Sequence, residues 1–277
     1  MKIFVTGGTG FIGSHFLKKC ANSGIEVVAL RRSKNSLCKI NLSSEPNWIE
    51  GDLSSVQKRD FKGIDCLVHL ASAGVSEKLC WTELLRVNVL ESVNLWLNAA
   101  NAGVKNFLIC GSCFEYGKSG DCFDFIPTDA PLLPATPYAS SKAAATMSAI
   151  GLATERNVSV KILRPFHVYG EGESSQRLWP SLRKAALSGE DFRMTKGEQI
   201  RDFVHVTQVA EELGNHCLNW QVPQGQVSIK NLGTARSQTL IKFCKHWWTR
   251  WDATGTILPG TVPYRPNEVM RYVPKIN

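Results

Sequence analysis

The sequence has no apolar run long enough to cross a membrane, and the apolar stretch in MKIFVTGG is too short for a signal peptide. It also has no run of like charges and no low-complexity tail. Its nine cysteines follow no regular framework, which argues against a disulfide-stapled secreted domain. These absences predict a soluble cytoplasmic protein with free thiols. With 277 residues, 43% of them hydrophobic, the chain can build a sizeable core plus a smaller lobe.

Metal and nucleic-acid sites have little support in the sequence. Cys110 and Cys113 have C-x-x-C spacing, but no second pair and no nearby histidines complete a zinc ligand set, so we predict no metal. The formal net charge of +8 is spread along the chain. It indicates either a solvated basic surface or an anionic ligand such as a nucleotide. Without a recognisable nucleic-acid module, we predict no nucleic-acid partner.

A glycine-rich segment follows the first apolar run. KIFV is a predicted strand, and Gly7, Gly10 and Gly13 then give the spacing G-x-x-G-x-x-G before an amphipathic helix that includes Phe11 and Ile12. Glycines permit a tight turn and a close approach of the backbone to a pyrophosphate, and the helix directs its N–H groups at the anion. A second predicted strand, IEVVAL, follows. This context predicts a dinucleotide site rather than an ordinary loop.

The end of the second predicted strand bears on which dinucleotide binds. An acidic residue there would bind the ribose hydroxyls of NAD, but this chain has Arg31, Arg32, Ser33 and Lys34. Two guanidinium groups attract a 2′-phosphate and can bind its oxygens in pairs. We therefore predict NADP(H), with Arg31 and Arg32 as its clamp, and keep NAD as possible. A solvated basic turn is the alternative.

Predicted strands and helices alternate through the first 165 residues. This order predicts an α/β fold of the Rossmann type, with a doubly wound parallel sheet and ligands at the carboxyl ends of its strands. HLAS ends one strand in small residues, where the backbone passes close to a cofactor. A long helix is expected over 78–101, and the other predicted strands are WIEGDL (48–53), IDCLVHLAS (64–72), VKNFLIC (104–110) and VSVKILRP (158–165).

Tyr138 and Lys142 are four residues apart and share a face if PYASSKAAATMSAI is helical. An ammonium near a phenol lowers the phenol's pKa and can also hold a nicotinamide ribose. The tyrosine can then give or take a proton at a sugar hydroxyl or carbonyl. The pattern Y-x-x-x-K is weak alone, and the upstream glycine segment strengthens it.

Several motifs together resemble the extended short-chain dehydrogenases/reductases. TGGTGFIGSH, GDL, HLAS, VNV, GSCFEYG, YASSK, RPFHVYG and RDFVHV occur in that family's order across nearly the whole chain. More narrowly, the chain resembles the nucleotide-sugar epimerase, dehydratase and reductase group. The resemblance implies a catalytic triad of Ser112, Tyr138 and Lys142, with Asp52 and Leu53 at the adenine. Together with the glycine segment and the arginines discussed above, it predicts that the cofactor contacts Gly7, Gly10, Phe11, Ile12, Gly13, Arg31, Arg32, Asp52, Leu53, Leu70, Ala71, Ser72, Asn88, Tyr138, Lys142 and Pro165.

The residues after Ser112 bear on the reaction. In the family's dehydratases these positions hold carboxylates that move the protons of the elimination, but here they hold Cys113 and Phe114. Phenylalanine cannot transfer a proton, and cysteine is a poor substitute for a carboxylic acid. Glu115 would point to the opposite face if the segment is extended. We therefore predict that the protein is not a 4,6-dehydratase.

Two enzymatic activities remain, and a third reading is not catalytic. The basic residues after the second strand favour an NADPH-dependent reductase that reduces the 4-keto group of a nucleotide-linked 6-deoxy or 3,6-dideoxy sugar. An NAD-dependent nucleotide-sugar 4-epimerase is the alternative. A non-catalytic dinucleotide-sensing regulator is the third reading, and the intact triad argues against it.

The second half of the chain is predicted to bind the nucleotide sugar. His167, with GEQIRDF and RPNEVM, makes the chain resemble the short abequose and paratose synthases that act on CDP-linked sugars. The resemblance implies that Arg201 and Arg265 contact the substrate's diphosphate, which two fixed cations would suit. A packing histidine and surface salt bridges are the alternatives. A helix is expected near Pro180, within 176–190. The substrate is predicted to contact Ser112, Cys113, Phe114, His167, Arg201 and Arg265.

The resemblance also implies domain boundaries and an oligomeric state. The dinucleotide domain would comprise residues 1–165 and 203–233, taking back strands near FVHV (203–206) and QVSIKNLG (226–233). A smaller, discontinuous C-terminal substrate lobe would comprise 166–202 and 234–277. Helices near 78–101 and 138–157 are expected to form a four-helix homodimer interface.

Overall fold

A seven-stranded, fully parallel sheet forms the centre of the protein. The structure is a computed structural model that describes residues 1–75, 79–266 and 268–276. The strand order is β10-β6-β5-β4-β1-β2-β3, so the direction in which successive strands are added across the sheet reverses between β1 and β4. In such sheets the ligand crevice lies at this reversal, beyond the carboxyl ends of the strands. The strands are β1 (Lys2–Thr6), β2 (Glu26–Arg31), β3 (Asn47–Glu50), β4 (Cys66–His69), β5 (Asn106–Cys110), β6 (Ser159–Pro165) and β10 (Val227–Leu232).

Helices cover both faces of this sheet, as the strand composition requires. The strands β4 and β6 are buried along their whole length, which is typical of parallel strands covered on both sides. One face packs a core that includes Trp96 and Leu152, and the other packs Phe16 and Leu213. The predicted Rossmann-type fold is confirmed. The helices are α1 (Phe11–Ala21), α2 (Trp81–Leu85), α3 (Ser92–Asn101), α4 (Pro137–Arg156) and α6 (Val206–Leu218).

The predicted helix over 78–101 is interrupted. Residue 78 lies outside the described residues, and α2 begins at Trp81. Between α2 and α3, residues Arg86–Glu91 form a π-helical segment that contains Asn88. Such segments are rare and shift the face that a helix presents by part of a turn, often at functional sites. Here the segment turns Asn88 toward the interior, where it is buried.

A smaller lobe follows β6. It contains a sheet of β11 (Ser237–Thr239), β9 (Ile200–His205) and β13 (Arg271–Tyr272), with β7 (His167–Tyr169) also paired to β9. A second pair joins β8 (Phe192–Met194) to β12 (Ile257–Pro259), and helices α5 (Leu178–Ser188) and α7 (Leu240–Arg250) complete the lobe. Pro180 lies in the first turn of α5, where its missing N–H has no intrahelical partner to lose.

The expectation that residues 203–206 return to the main sheet is wrong. The strand there, β9, pairs with β7, β11 and β13 in the small sheet, and of the described strands that follow β6 only β10 joins the main sheet. The helix that follows β9 does return, because α6 packs against α1 on one face of the main sheet. The sequence shows that a strand occurs here, but its pairing partner depends on the register of distant segments.

Candidate active site

The glycine-rich turn fits together without side chains. Gly7 has a φ of +70°, and a Cβ there would lie 2.5 Å from the backbone nitrogen of Ala71. A Cβ on Gly13 would overlap the carbonyl oxygen of Gly7. These two glycines therefore allow the turn to pack against the end of β4 and the first turn of α1 to pack against the turn. The glycines thus allow close contacts between the turn, the end of β4 and α1, in addition to a close approach of the backbone to a ligand.

The N-terminus of α1 is left open for an anion. Gly10 is the N-cap and supplies no side-chain acceptor, so the N–H groups of Phe11, Ile12 and Gly13 have no side-chain cap from the part of the chain that the structure describes. The Ser14 hydroxyl donates to the Gly10 carbonyl at 2.7 Å, which steadies the turn. Free N–H groups and the positive end of the helix dipole suit a diphosphate, so this chain fits a dinucleotide at this position.

The arginine clamp predicted after β2 is only partly available. Nη2 of Arg31 lies 3.0 Å from Oε1 of Glu50, at the paired end of β3, and its guanidinium stacks 5.1 Å from the Trp48 ring centre. Arg31 is thus occupied by a carboxylate that the sequence analysis did not consider. Arg32 is exposed and forms no ion pair with the residues that the structure describes. Of the two arginines predicted to bind a 2′-phosphate at the end of β2, Arg32 is therefore the one that is not paired with a described carboxylate.

Two other residues predicted to contact the cofactor, Asp52 and Asn88, form hydrogen bonds within the protein. The Asp52 carboxylate caps the turn Leu53–Ser55, accepting hydrogen bonds from Ser55 N at 3.0 Å and Ser54 Oγ at 2.7 Å. The Ser54 hydroxyl lowers the pKa of Asp52, with lesser backbone contributions. Asn88 accepts from Ala73 N at 2.7 Å and donates to Ser141 Oγ on α4 at 2.9 Å. It therefore fastens the segment after β4, which carries Leu70, Ala71 and Ser72, to α4.

The predicted triad converges at the carboxyl end of β5. Ser112 follows this strand, while Tyr138 and Lys142 lie one turn apart on α4. Burial raises the pKa of Tyr138, the nearby Cys110 thiol adds to the rise, and interactions with the Ser72 and Ser112 hydroxyls partly oppose it. Tyr138 is still partly accessible. The serine and tyrosine hydroxyls are therefore close enough to interact.

Lys142 lies at the predicted site, but the pKa of the Tyr138 phenol is raised, mainly by burial. Its buried ammonium donates to the Cys110 carbonyl oxygen at 2.7 Å. This bond anchors α4 to β5, and the pKa of Tyr138 is raised, not lowered. The hydrogen bond leaves two further N–H donors on the ammonium for a ligand. The lysine therefore lies one helical turn from the tyrosine, and its hydrogen bond in this structure is to the strand.

His69 is a buried residue near the triad that the sequence analysis missed. Its two ring nitrogens lie 2.9 Å from Thr6 Oγ1 and 3.1 Å from Ser92 Oγ. Burial lowers its pKa to about 3, and the Lys142 charge adds to the effect, so the imidazole is neutral. It links β1, β4 and α3 behind the site. No local sequence signal marks it, because its partners lie on other elements.

The segment GSCFEYG forms a 3-10 turn over Cys113–Tyr116, not an extended strand. Cys113 is buried, and desolvation raises the pKa of its thiol to about 12, so it stays protonated. Phe114 points toward the open side, with its ring 6.5 Å from the Tyr138 ring and 5.7 Å from that of His167. Glu115 is fully buried on the opposite side. The segment is not extended, contrary to the condition assumed from the sequence. The Glu115 carboxylate nevertheless points away from the side on which the Phe114 ring lies.

A cavity of ≈ 510 Å³ opens beside Phe114, Thr136 and Ala139, next to the tyrosine, and extends into the smaller lobe. We call it the lobe cavity. Its wall is rich in aromatic rings, and Phe203 stacks on Phe243 with ring centres 3.8 Å apart. A cavity of this size and composition suits a ligand with an apolar or ring-shaped part. The aromatic lining comprises Phe114, Tyr169, Trp179, Phe192, Phe203, Phe243 and Tyr272.

The three predicted substrate residues of the lobe all line this cavity. Burial lowers the pKa of His167 well below its usual value, and its Nδ1 has no partner among the described residues. Arg201 is held by Glu268 at 2.9 Å and by the Val269 carbonyl at 2.7 Å, so its guanidinium is largely engaged. Arg265 is exposed at the rim, and Asn267, within the RPNEVM motif, lies outside the described residues.

Three further cavity residues were missed by the sequence analysis. Burial raises the pKa of Glu173 to about 7, although Arg177, with its Nε 3.6 Å from Oε1, opposes the rise. Oε2 of Glu173 and Nε1 of Trp179 are buried without hydrogen-bond partners in the described chain. Buried polar atoms that lack a partner mark positions where a ligand can supply one. No spacing in the sequence distinguishes these residues from an ordinary loop and helix start.

A doubly wound sheet with an uncapped helix after its first strand, and with a serine, a tyrosine and a lysine at the end of β5, is typical of a class of dinucleotide-dependent enzymes. The chain belongs to the NAD dependent epimerase/dehydratase family, whose sequence pattern matches residues 3–213. The family prediction is confirmed. At this level the protein is an enzyme of the NAD dependent epimerase/dehydratase family.

Individual relatives are similar along most of their length. The chain is 28% identical to the UDP-glucose 4-epimerase of Neisseria meningitidis serogroup C, covering 95% of this chain and 86% of that protein. It is 27% identical to the CDP-abequose synthase of Salmonella muenchen, covering 97% and 87%. Among solved structures, MoeE5 in complex with UDP-glucuronic acid and NAD superposes with a TM-score of 0.87 and 28% identity, covering 100% of this chain and 90% of that one.

The structure has no helix, within the residues it describes, whose length and apolarity would carry it across a bilayer.

Proposed function

We propose that the protein reduces the 4-keto group of a nucleotide-linked 6-deoxy or 3,6-dideoxy sugar with NADPH. The observation that carries this choice is the basic end of β2, where no acidic residue follows the strand and Arg32 is exposed without an ion pair in the described chain. Such a cation favours a 2′-phosphate over free ribose hydroxyls. The similarity to CDP-abequose synthase over nearly the whole of both chains supports the same substrate class.

The chain's own groups would bind and protonate the sugar. Tyr138, partly accessible beside the lobe cavity, would donate its phenolic proton to the 4-oxygen, and its raised pKa keeps the phenol protonated before the reaction. Ser112 would hydrogen-bond the same oxygen and orient the carbonyl. Lys142 would bind the ribose hydroxyls of the dinucleotide through its remaining N–H groups. The bound NADPH would supply the hydride.

Dehydration is disfavoured by the residues available to move protons. An elimination requires a base for the carbon-bound proton and an acid for the departing hydroxyl. Cys113 is held as a neutral thiol, Phe114 has no exchangeable proton, and Glu115 is enclosed by three hydrogen-bond donors away from the cavity. We therefore propose that the triad tyrosine is the principal proton-transferring group.

A second candidate is an NAD-dependent nucleotide-sugar 4-epimerase. The specific observation in its favour is the ion pair of Arg31 with Glu50, which removes one of the two predicted phosphate ligands and places a carboxylate at this edge. Several similar proteins are 4-epimerases, including the one from Neisseria meningitidis. In this reading the same triad would remove a proton from the sugar hydroxyl and later return it.

One set of assays separates the two candidates. The purified protein is first denatured and its supernatant analysed for NAD and NADP; a stoichiometric content of NAD would favour the epimerase. NADPH consumption is then followed with CDP- and dTDP-linked 4-keto sugars. Tyr138→Phe should lower kcat by at least about 100-fold, whereas Ser148→Ala on the same helix should not. No turnover of any 4-keto sugar, with interconversion of a 4-hydroxy sugar instead, would refute the reductase.

We also propose a homodimer formed through α2, α3 and α4. Trp81, Leu90 and Met147 on this side of the protein have exposures of 52%, 59% and 59%. Large apolar side chains so exposed on neighbouring helices suit a helix-to-helix contact with a second copy. The measurement is the molar mass in solution by light scattering.

A further inference from the structure

Glu115 lies at the centre of a hydrogen-bond network behind the triad. Its carboxylate is fully buried and accepts three hydrogen bonds. Oε1 accepts from the backbone N–H of Ser112 at 2.8 Å. Oε2 accepts from Thr146 Oγ1 and from Arg164 Nε, each at 2.8 Å. We propose that Glu115 is a positioning residue that holds Ser112 in register with the helix carrying Tyr138 and Lys142, an inference that rests on the proposed function of these three residues.

The first half of the network fixes the serine. Ser112 is the N-cap of the short turn, and its hydroxyl accepts a hydrogen bond from Phe114 N at 3.2 Å. The backbone N–H of Ser112 donates to the Glu115 carboxylate. These reciprocal bonds form a capping box, which restricts both the backbone and the side-chain rotamer of the capping serine. The direction of the Ser112 hydroxyl therefore depends on where the Glu115 carboxylate sits.

The second half of the network fixes the helix. Thr146 lies on α4, one turn beyond Lys142 and two turns beyond Tyr138, so its side chain is on the same side of the helix. Its hydrogen bond to Glu115 joins α4 to the serine turn directly. The Lys142 bond to the Cys110 carbonyl joins the same helix to β5 just before the turn. Two bonds thus set how far α4 can slide or rotate against Ser112.

The carboxylate is itself immobilised by Arg164, which is buried on β6. Nη1 of Arg164 donates to the Tyr116 hydroxyl at 2.9 Å and to the Thr128 carbonyl at 3.2 Å. The Tyr116 hydroxyl in turn donates to Asn231 on β10 at 2.6 Å. The ion pair is therefore tied to α4 through Thr146, to β10 through Tyr116 and Asn231, and to its own turn through Ser112. A buried ion pair held from several sides has a restricted geometry, which is what a positioning group requires.

Removing either charge would leave the other buried and uncompensated, so alanine variants of Glu115 or Arg164 would report on folding and not on positioning. Thr146 offers a gentler perturbation. Thr146→Val keeps the shape and the ion pair and removes only the bond between the helix and the serine turn. Thr146→Ser keeps the hydroxyl and removes a methyl group. The two variants separate hydrogen bonding from packing.

The experiment is a double-mutant cycle on the full chain. With a 4-keto sugar nucleotide that the wild type turns over, Thr146→Val should lower kcat about 10-fold with an unchanged KM for NADPH, and Thr146→Ser should retain wild-type kcat. In a Ser112→Ala background, Thr146→Val should cost less than about 2-fold, because its effect acts through the serine. Ser148→Ala is the matched control, because the Ser148 hydroxyl donates to the Ala144 carbonyl of its own helix and to no other described residue.

Three outcomes overturn the proposal. They are an unchanged kcat for Thr146→Val, a similar loss of kcat for Thr146→Ser, and an equal loss of kcat from Thr146→Val with and without the Ser112 hydroxyl.

If the wild type turns over no sugar nucleotide, the proposed function fails, and positioning is then tested by crystal structures of the wild type and Thr146→Val. A displaced Ser112 side chain relative to Tyr138 supports the proposal, and an unmoved one refutes it. Thr146→Ser provides the reference for packing changes.

Discussion

The carboxyl of Glu173 gives the protein a pH-dependent stability that can be measured without knowing the substrate. Its side chain is only 9% exposed in the lobe cavity, and Oε2 has no partner in the described chain. Desolvation raises its pKa from 4.5 to about 7, and Arg177 opposes the rise only in part. The perturbation is Glu173→Gln, which keeps the shape of the side chain and removes the ionisation.

The sign and size of the effect follow from the shift of this pKa. The folded protein binds the carboxyl proton more tightly than the unfolded chain, so its free energy of unfolding falls as pH rises from about 4.5 to about 7. A rise from 4.5 to about 7, at about 1.4 kcal/mol for each tenfold change, corresponds to about 3 kcal/mol lost above pH 7. The variant does not incur this loss. Its advantage over the wild type should therefore grow by about 3 kcal/mol between pH 4.5 and pH 8.

The assay is urea unfolding followed by tryptophan fluorescence, for wild type and Glu173→Gln at pH 5 and pH 8. Glu190→Gln, an exposed glutamate of the same lobe, is the control and should follow the wild type at both values. A difference between variant and wild type that is the same at both pH values would show that Glu173 ionises at its ordinary pKa. The cavity would then be wetter and less able to desolvate a ligand than its geometry indicates.

Three other predictions concern the cofactor site and the dimer. Gly13→Ala should weaken NADPH binding at least about 10-fold in a fluorescence titration, since its Cβ would overlap Gly7; wild-type affinity with native circular dichroism would contradict this. Glu50→Gln should release Arg31 and raise the preference for NADPH over NADH about 5-fold at low salt, and an unchanged ratio would show that Arg31 does not reach the 2′-phosphate. Leu90→Glu should give the monomer mass in light scattering, whereas a dimer would place the interface elsewhere.

Features that depend on neighbours in the sequence were predicted well. The strand, glycine turn and helix at the N-terminus are a local unit, because each glycine acts within about six residues of the others. The spacing of Tyr138 and Lys142 follows from the period of one helix. The alternation of apolar runs with helical patterns was enough for the parallel sheet, since βαβ units leave few other arrangements.

Features that depend on which segments meet were not predictable in the same way. The pairing of Arg31 with Glu50 requires β2 and β3 to lie in the observed register, and the two residues are 19 positions apart. Arg201 is drawn to Glu268, 67 positions along the chain, and not left free for a diphosphate. In each case a partly or fully buried arginine pairs with a carboxylate close to it in space, and only the tertiary arrangement decides which carboxylate that is.

The sequence by itself determined the class of fold and the glycine turn before α1, and it predicts the triad. Their chemistry is carried by residue types at short, fixed spacings along single elements. The tertiary structure decided the direction of Glu115, the pairing of β9 in the small sheet and the buried carboxyl at Glu173. These depend on burial and on partners from distant segments. A side chain's environment, and with it its pKa and its bonds, is set by what packs around it and not by its neighbours in the chain.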